Sequence, residues 1–407
     1  MPTLADLARE ILRNAEFIDG AASRPEDAAG LDVETARTAL LDATHRLILQ
    51  SQSPESYMFQ QMWSITDTFI LRMIYTLNLP RHVPLVGSTT YTAVAAQVDV
   101  PLDHLIRLVR YAITIGYFTE PIPDHVAHSP ASRLLAVNPD AFDAMGMILN
   151  ELGPSTHAFP AALTRFAASE EPNETAYNIA NDTDLAIYDF LAQHPERARR
   201  FGGAMRFFSG GGGNYIQALL DAFPWTDAAN DRDDFVVVDV GGGHGSVAVA
   251  LAGHTAHMRF IVQDKEETVA EGRNVLPAAL EGRVEFQTHD FFTPQPLAAD
   301  IYFFRWIFHN WSYKYCVRIL QNLVPALKPG ARIMVYEHVV EPGVDVLLSK
   351  KKERYLDLFM LCAYNSRERT EEEWRALFAA VDSRFVFQSV TAVAGASLSL
   401  VEAVWRG

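Results

Sequence analysis

The chain has 407 residues, 49% of them hydrophobic and 21% charged, which places it in the globular range and excludes wholesale disorder. That length allows two or three domains with a large buried core. With 34 Lys+Arg against 50 Asp+Glu and a formal net charge of −16, the chain repels phosphate backbones and anionic headgroups. Nucleic acid and membrane surfaces are thereby excluded as default partners.

The N-terminal run MPTLADLAREILRNAEF carries Asp6 and Glu10 among its apolar residues, the pattern of an amphipathic helix and not of a signal peptide. Apolar runs elsewhere are cut by charges well before the roughly 18 residues that a membrane-spanning helix needs. Segment 57–77 is apolar on nearly every side (Met58, Phe59, Met62, Ile65, Phe69, Ile70, Met73, Ile74, Leu77). Read as one helix, it must be covered by its own domain or by a partner chain. Residues 84–136 form a smaller unit: a helix at 91–97, a turn through Asp99 and Pro101, a helix over 102–116 with the stripe Leu105, Leu108, Val109, Ala112 and Ile115, and a return segment near His128. The order is that of a winged helix-turn-helix. Three Arg, no Lys and four acids over this stretch cannot neutralise several phosphates, so a scaffold or dimer role is expected in place of DNA binding. The glycine run Gly210 to Gly213 has no strand before it and reads as a connection between two helices.

Near residue 225 the pattern changes from helical spacing to strand, glycine-rich turn, helix, strand. Strands are expected at 235–238, 259–263, 284–286, 301–304 and 332–337. Helices are expected at 246–252 and 265–280, and after Ser312 with the stripe Cys316, Ile319, Leu320, Leu323. A capping box, Thr370 with Glu373, precedes another helix, and two β-rich runs, 384–393 and 398–405, close the chain as an antiparallel pair. Alternating strands and helices imply an α/β fold on a mainly parallel sheet. The expected organisation is an all-α N-terminal domain, 1–225, and a Rossmann-like domain, 226–407.

Chemistry concentrates at Asp239-Val-Gly-Gly-Gly-His-Gly245, on a strand-to-helix turn, and at Asp264, which ends the next strand. Glycines let the backbone approach a ligand beside a helix N-terminus, and a carboxylate there accepts hydrogen bonds from ribose hydroxyls. The spacing is neither G-x-G-x-x-G nor a P-loop. Asp290 and Phe291 end the third strand, where a carboxylate and an aromatic face can hold an adenine. No HExxH or comparable metal cluster occurs, and Cys316 and Cys362, the two cysteines, lack metal-ligand spacing and match a reducing cytosol.

Together with Phe304-Arg-Trp-Ile-Phe-His-Asn-Trp-Ser312, Leu327-Lys-Pro-Gly330, Glu337 and Arg367-Glu-Arg-Thr370, these residues resemble the S-adenosylmethionine-dependent O-methyltransferases of the plant caffeate and fungal sterigmatocystin type. Glu174 to Asp182, His194 to Arg197 and Phe201-Gly-Gly-Ala-Met205 resemble fungal members. The resemblance implies S-adenosyl-L-methionine as cofactor, no metal, and a cytoplasmic homodimer joined through the N-terminal domain, with a small phenolic or enolic secondary metabolite as acceptor. Gly241 and Gly243 match positions at the methionine end of the cofactor, Asp264 the ribose contact, Asp290 and Phe291 the adenine site, and Arg305 a cofactor-contacting cation. His309 matches the general base, and Glu337 and Glu368 the acids that orient it. Met205, Trp306, Met360 and Asn365, with Tyr177, Phe208 and Tyr364, match the acceptor pocket. The same fold implies an alternative, a non-methylating enzyme that keeps the cofactor, such as a pericyclase or dehydratase. Asn310, where the family carries Asp, leaves that alternative open.

Overall fold

A computed structural model describes residues 2–23, 30–210, 215–227, 230–343, 345–392 and 397–407. By contacts the chain falls into two compact units that interleave along the sequence. One comprises Met1–Ala5, Arg46–Arg165 and Ala176–Gly212; the other comprises Asp6–His45, Phe166–Thr175 and Gly213–Gly407.

The first unit is helical apart from a two-stranded antiparallel ribbon, Thr89–Thr90 with His125–Val126. Helices Tyr91–Val98 and Leu102–Thr114 stand between the ribbon strands, and the expected stripe points inward, with Leu105, Val109 and Ala112 buried beside Tyr91, Val94 and Phe118. Segment 57–77 is not one helix. Helices Pro54–Trp63 and Ile65–Thr76 meet at Ser64, whose hydroxyl donates to the Gln61 carbonyl at 2.7 Å. Ile70 and Ile74 are buried, whereas Met62, Trp63 and Ile65 are 59%, 67% and 65% exposed. Among the described residues, none covers Met62, Trp63 and Ile65 as an all-round apolar helix would require. Helix Pro195–Gly210 packs on helix Pro139–Met147 through Gly203, where a Cβ would lie 2.3 Å from the Asp143 carboxylate. That close approach gives Phe201-Gly-Gly-Ala-Met205 its physical reason. Gly210 ends this helix; the rest of the glycine run lies outside the described residues.

The second unit is built on seven strands: β1 Val236–Val240, β2 Arg259–Asp264, β3 Val284–Thr288, β4 Ile301–Arg305, β5 Arg332–Glu337, β6 Phe385–Ala392 and β7 Ser399–Trp405. Their order is β3-β2-β1-β4-β5-β7-β6. The first five run parallel, and β7 joins β5 and β6 antiparallel. Helices α1 Ser246–His254 and α2 Glu266–Val275 precede β2 and β3. Helix α3 Tyr313–Leu323 follows β4; α4 Leu348–Tyr364 and α5 Glu371–Val381 follow β5. One core holds Val247, Leu251 and Val269 against Val237 and Phe303. The other holds Cys316, Ile319, Trp374 and Phe378 against Val238 and Tyr302. Alternate residues of a strand thus feed opposite cores, which is why the central strands read as unbroken apolar runs. Each fully buried large side chain contributes about 1.5–3 kcal/mol.

Helix α2 stops at Val275, short of the expected 280, because Pro277 has no N–H to continue it, and a 3-10 turn follows at Ala278–Leu280. Thr370 and Glu373 form the expected reciprocal capping box. Ser312 stands at the N-cap of α3, but its oxygen accepts from no helix N–H, and its hydroxyl donates to the Glu170 carbonyl at 2.8 Å. Among the described residues, no helix is long and apolar enough to cross a membrane.

Candidate active site

The carboxyl end of β1 runs into the glycine turn at the middle of the sheet. The N–H groups of Gly241 and Gly242 both donate to the Gln263 carbonyl, at 2.7 and 3.1 Å, folding the turn over the end of β2. Gly241 and Gly243 adopt φ of 70° and 60°, the left-handed region that favours glycine. A Cβ on Gly241 would meet Ile307 Cδ1 at 2.5 Å, whereas Gly243 faces open space. Asp264 accepts from the Gly243 N–H at 2.9 Å and from the Lys265 N–H at 2.7 Å, so loop and carboxylate form one unit. The His289 N–H donates to the Asp264 carbonyl at 3.0 Å, bringing Asp290 to the same sheet edge. Phe291 Cε1 lies 3.7 Å from a Cβ built on Gly241. Gly241, Gly243, Asp264, Asp290 and Phe291 therefore share one edge.

Beneath the turn lies Asp239, fully buried. Burial lifts its carboxyl to about 7; Asp264 adds to the lift, and Arg305 opposes it. Burial lowers the Arg305 guanidinium in turn, against the pull of Asp239. One Asp239 oxygen, Oδ2, is buried without a hydrogen-bond partner. Arg305 is thus the buried companion of Asp239, and its guanidinium lies 4.9 Å from the centre of the Trp306 ring.

After β4 the chain makes a tight turn that carries His309. Trp306 enters it at φ 55°, strain that the surroundings must hold in place. They do so at the backbone. Glu337 Oε1 accepts from the N–H groups of Ile307 and Phe308, at 2.8 and 2.6 Å. Arg369 donates to the carbonyls of Phe308 and Trp311, at 2.9 Å each. Ser366 Oγ donates to the Trp311 carbonyl at 2.6 Å, and Asn310 Nδ2 to the Trp306 carbonyl at 2.8 Å. An aspartate at 310 would have no side-chain N–H to give, so this bond depends on the amide. The Cys316 thiol points at the Phe308 and Trp311 carbonyls, and burial pushes it up to about 12, so it stays protonated.

His309 is 7% exposed and Glu368 4%; the His309 Nδ1 and Glu368 Oε1 are 2.8 Å apart. Burial works against the charged imidazole, but the charge and hydrogen bond of Glu368 outweigh it, so His309 sits above its ordinary value. A carboxylate on Nδ1 fixes the tautomer and leaves Nε2 as the proton-accepting nitrogen. Glu337 makes no such bond to the imidazole. It orients the backbone that carries His309, and burial holds its own carboxyl above the usual range.

The expected pocket residues divide. Trp306 and Met360 lie in this unit, Met360 buried on α4 with Tyr364. Asn365 caps α4 at φ 51° and donates both its N–H groups to the Glu171 and Glu174 carbonyls, at 2.9 Å each. Its amide nitrogen therefore holds the segment Phe166–Thr175 and no acceptor. Tyr315 Oη donates to Glu171 Oε2 at 2.7 Å, and Lys314 pairs with the same carboxylate. Met205 and Phe208 belong to helix Pro195–Gly210 of the first unit. Tyr177 is 0% exposed in that unit, edge-on to Phe190, and acts as a core residue there. Sequence reasoning gave no role to Arg369 or to the Cys316 thiol. The signal for Arg369 was present in Arg367-Glu-Arg-Thr370, as a cation beside a candidate catalytic acid.

The O-methyltransferase domain family matches residues 233–382. Over 397 residues the chain is 37% identical to the O-methyltransferase AMT9 of Alternaria alternata, covering 95% of this chain and 90% of that protein. The chain belongs to the O-methyltransferase family. This O-methyltransferase is also 37% identical over 370 residues to the O-methyltransferase pyvH of Aspergillus violaceofuscus, covering 89% of one and 85% of the other. Among solved structures, LepI in complex with SAM matches it with a TM-score of 0.80 over 98% of this chain and 100% of that one, at 21% identity, a likeness of fold.

Proposed function

We propose that this O-methyltransferase moves a methyl group from S-adenosyl-L-methionine to a phenolic or enolic hydroxyl of a small secondary metabolite, with His309 as general base. The observation that carries this reading is the buried 2.8 Å pairing of His309 with Glu368, on a turn that follows the strand beside β1 and its glycine loop.

The loop and its surroundings suit a nucleoside joined to an amino acid. Gly243 faces open space, Asp264 and Asp290 supply edge carboxylates for hydroxyl and amine hydrogens, and Phe291 supplies an aromatic face. Asp239 offers a buried oxygen lacking a partner, which favours a cationic neighbour above it. The cofactor supplies an electrophilic methyl on a sulfonium. His309 Nε2 takes the acceptor's hydroxyl proton, for a phenol one with a pKa near ~10. Glu368 stabilises the resulting imidazolium, and Glu337 with Arg369 keeps the turn in register. Base catalysis of this kind is worth about 10²–10⁴-fold. Alignment of hydroxyl and methyl supplies much of the remainder.

The test is incubation with methyl-labelled cofactor and a panel of phenols and enolic diketones. Labelled ether and S-adenosylhomocysteine are expected in equal amounts. Acceptor consumed with no S-adenosylhomocysteine formed would instead establish the non-methylating alternative.

The functional division we propose keeps 226–407 for the cofactor and 1–225 for dimerisation and acceptor cover. The exposed Met62, Trp63 and Ile65 support a homodimer, since a contiguous apolar surface on a soluble chain marks an interface. In sedimentation the wild type is expected as a dimer and a Met62→Asp, Trp63→Glu variant as a monomer; a monomeric wild type would refute the assignment. Cys316 and Cys362 are both free and buried, which supports a reducing, cytoplasmic setting.

A further inference from the structure

A glutamine sealed inside a parallel sheet needs buried hydrogen-bond partners. Gln263, the penultimate residue of β2, is 1% exposed, and Gln295, on the loop between β3 and β4, is 5% exposed. Their amides bond reciprocally. Gln263 Nε2 donates to Gln295 Oε1 at 2.9 Å, and Gln295 Nε2 donates to Gln263 Oε1 at 2.8 Å. Gln263 Nε2 also donates to Gln287 Oε1 at 2.8 Å, its partner in register on β3. Gln295 Oε1 also accepts from the Leu297 N–H at 3.3 Å. Turning either amide over alone would set N–H against N–H, so the pair holds one arrangement.

The two sides of the cofactor edge meet at Gln263. Its carbonyl accepts from the Gly241 and Gly242 N–H groups, at 2.7 and 3.1 Å, and so holds the glycine turn, while the next residue is Asp264. Gln295 closes the loop that carries Asp290 and Phe291. That loop is tightly folded, the Phe292 N–H donating to Asp290 Oδ1 at 2.9 Å and the Thr293 N–H to the Asp290 carbonyl at 2.8 Å. Its outer side is tied to α3: the Gln295 N–H donates to the Asn322 carbonyl at 2.9 Å, and Asn322 Nδ2 to the Phe291 carbonyl at 3.2 Å. The amide pair ties its inner side to the end of β2.

We propose that Gln263 and Gln295 are positioning residues for the cofactor, their amide pair fixing the loop of Asp290 and Phe291 at a set distance from Asp264 and the glycine turn. Both side chains are buried, so they act through the groups at the edge. An apolar pair of similar shape would fill the same space yet hold no register, because apolar contact is non-directional and a reciprocal amide pair is not.

This coupling presupposes the cofactor assignment of the edge, for which Asp264→Ala is the control. Full-length enzyme is titrated calorimetrically with S-adenosylhomocysteine and with methylthioadenosine, which lacks the amino-acid part. Gln295→Met is expected to weaken both ligands by about five- to tenfold at unchanged stoichiometry, since both carry the adenine and ribose. A variant that only folds less well would lower the stoichiometry and keep the dissociation constant. Gln295→Met also leaves the Gln263 amide oxygen buried without a donor, so its melting temperature falls. The double variant Gln263→Met, Gln295→Met removes both amides, so its melting temperature returns towards wild type while its affinity stays low. It carries the test should the single variant not fold. Wild-type affinity in either folded variant overturns the proposal, as does a loss confined to S-adenosylhomocysteine. Wild-type affinity in Asp264→Ala would instead overturn the ribose assignment.

Discussion

Replacing His309 by glutamine lowers methyl-transfer turnover by at least about a hundredfold and leaves cofactor affinity within about twofold of wild type. Glutamine keeps a polar group near Glu368 but cannot take a proton from a hydroxyl. The cofactor-side residues Gly241, Gly243 and Asp264 stand on a different loop, anchored by Gln263, and keep their geometry. The pH dependence follows from the same pair. A base works only when neutral, and Glu368 holds His309 above its ordinary value, so turnover rises with pH through a midpoint above about 6.5. Glu368→Gln removes that support, moving the acid limb to lower pH while lowering the plateau. S-adenosylhomocysteine formation across pH, with calorimetry of cofactor binding, measures both effects. Unchanged turnover in His309→Gln would remove it as the base.

Gly242→Ala costs at least about tenfold in cofactor affinity and lowers the melting temperature by several degrees. The new Cβ would stand 2.6 Å from both Cγ and Oδ2 of Asp239 and 2.9 Å from Cγ1 of Val262. Both neighbours are short, stiff side chains, 2% and 0% exposed, so neither can swing aside. The turn must lift, and it takes the Gly243 N–H away from Asp264. Gly243→Ala is the control. Its side chain meets open space, so only the cost of a positive φ remains, about 1 kcal/mol. Calorimetric titration with S-adenosyl-L-methionine and thermal melts separate the two variants. Wild-type affinity in Gly242→Ala would show that the crowding beneath the turn is not what shapes the site.

The sheet was legible because its central strands are buried on both faces and so read as short apolar runs bounded by Gly, Pro and Asp. Where the reading overran, a local feature was underweighted: Pro277 ends α2, and Ser64 separates two helices that apolar pattern alone joins. The glycine turn, Asp264, His309 and Glu368 were visible as ordered motifs. What a motif cannot say is which atom a side chain meets. Glu337 was expected on the imidazole and instead accepts from the two N–H groups just before it. Arg369, Asn310 and Cys316 also act on backbone atoms of the turn, and such partners leave no trace in spacing or periodicity. Asn365 and Ser312 were assigned to the pocket and to a cap because their true partners, on Phe166–Thr175, lie far away in sequence.

The interleaved path of the chain bears on how such an enzyme can be inherited. The sheet unit recruits Asp6–His45 and Phe166–Thr175 as well as everything from Gly213 onward. The recruited pieces are bonded in: Asp42 accepts from Ser349 at 2.9 and 2.6 Å, and Glu171 and Glu174 accept from Asn365. A gene fragment encoding residues 213–407 would carry the glycine turn and the His309 pair yet arrive without the strands of chain that brace α3 and α4. A single crossover between relatives that falls between 45 and 166 therefore takes Asp42 and Ser349 from different parents, and one between 175 and 213 divides Glu171 and Glu174 from Asn365 as well. Productive exchange requires matched crossovers or the whole coding sequence, and diversification of acceptor choice is steered towards point substitutions within an intact chain.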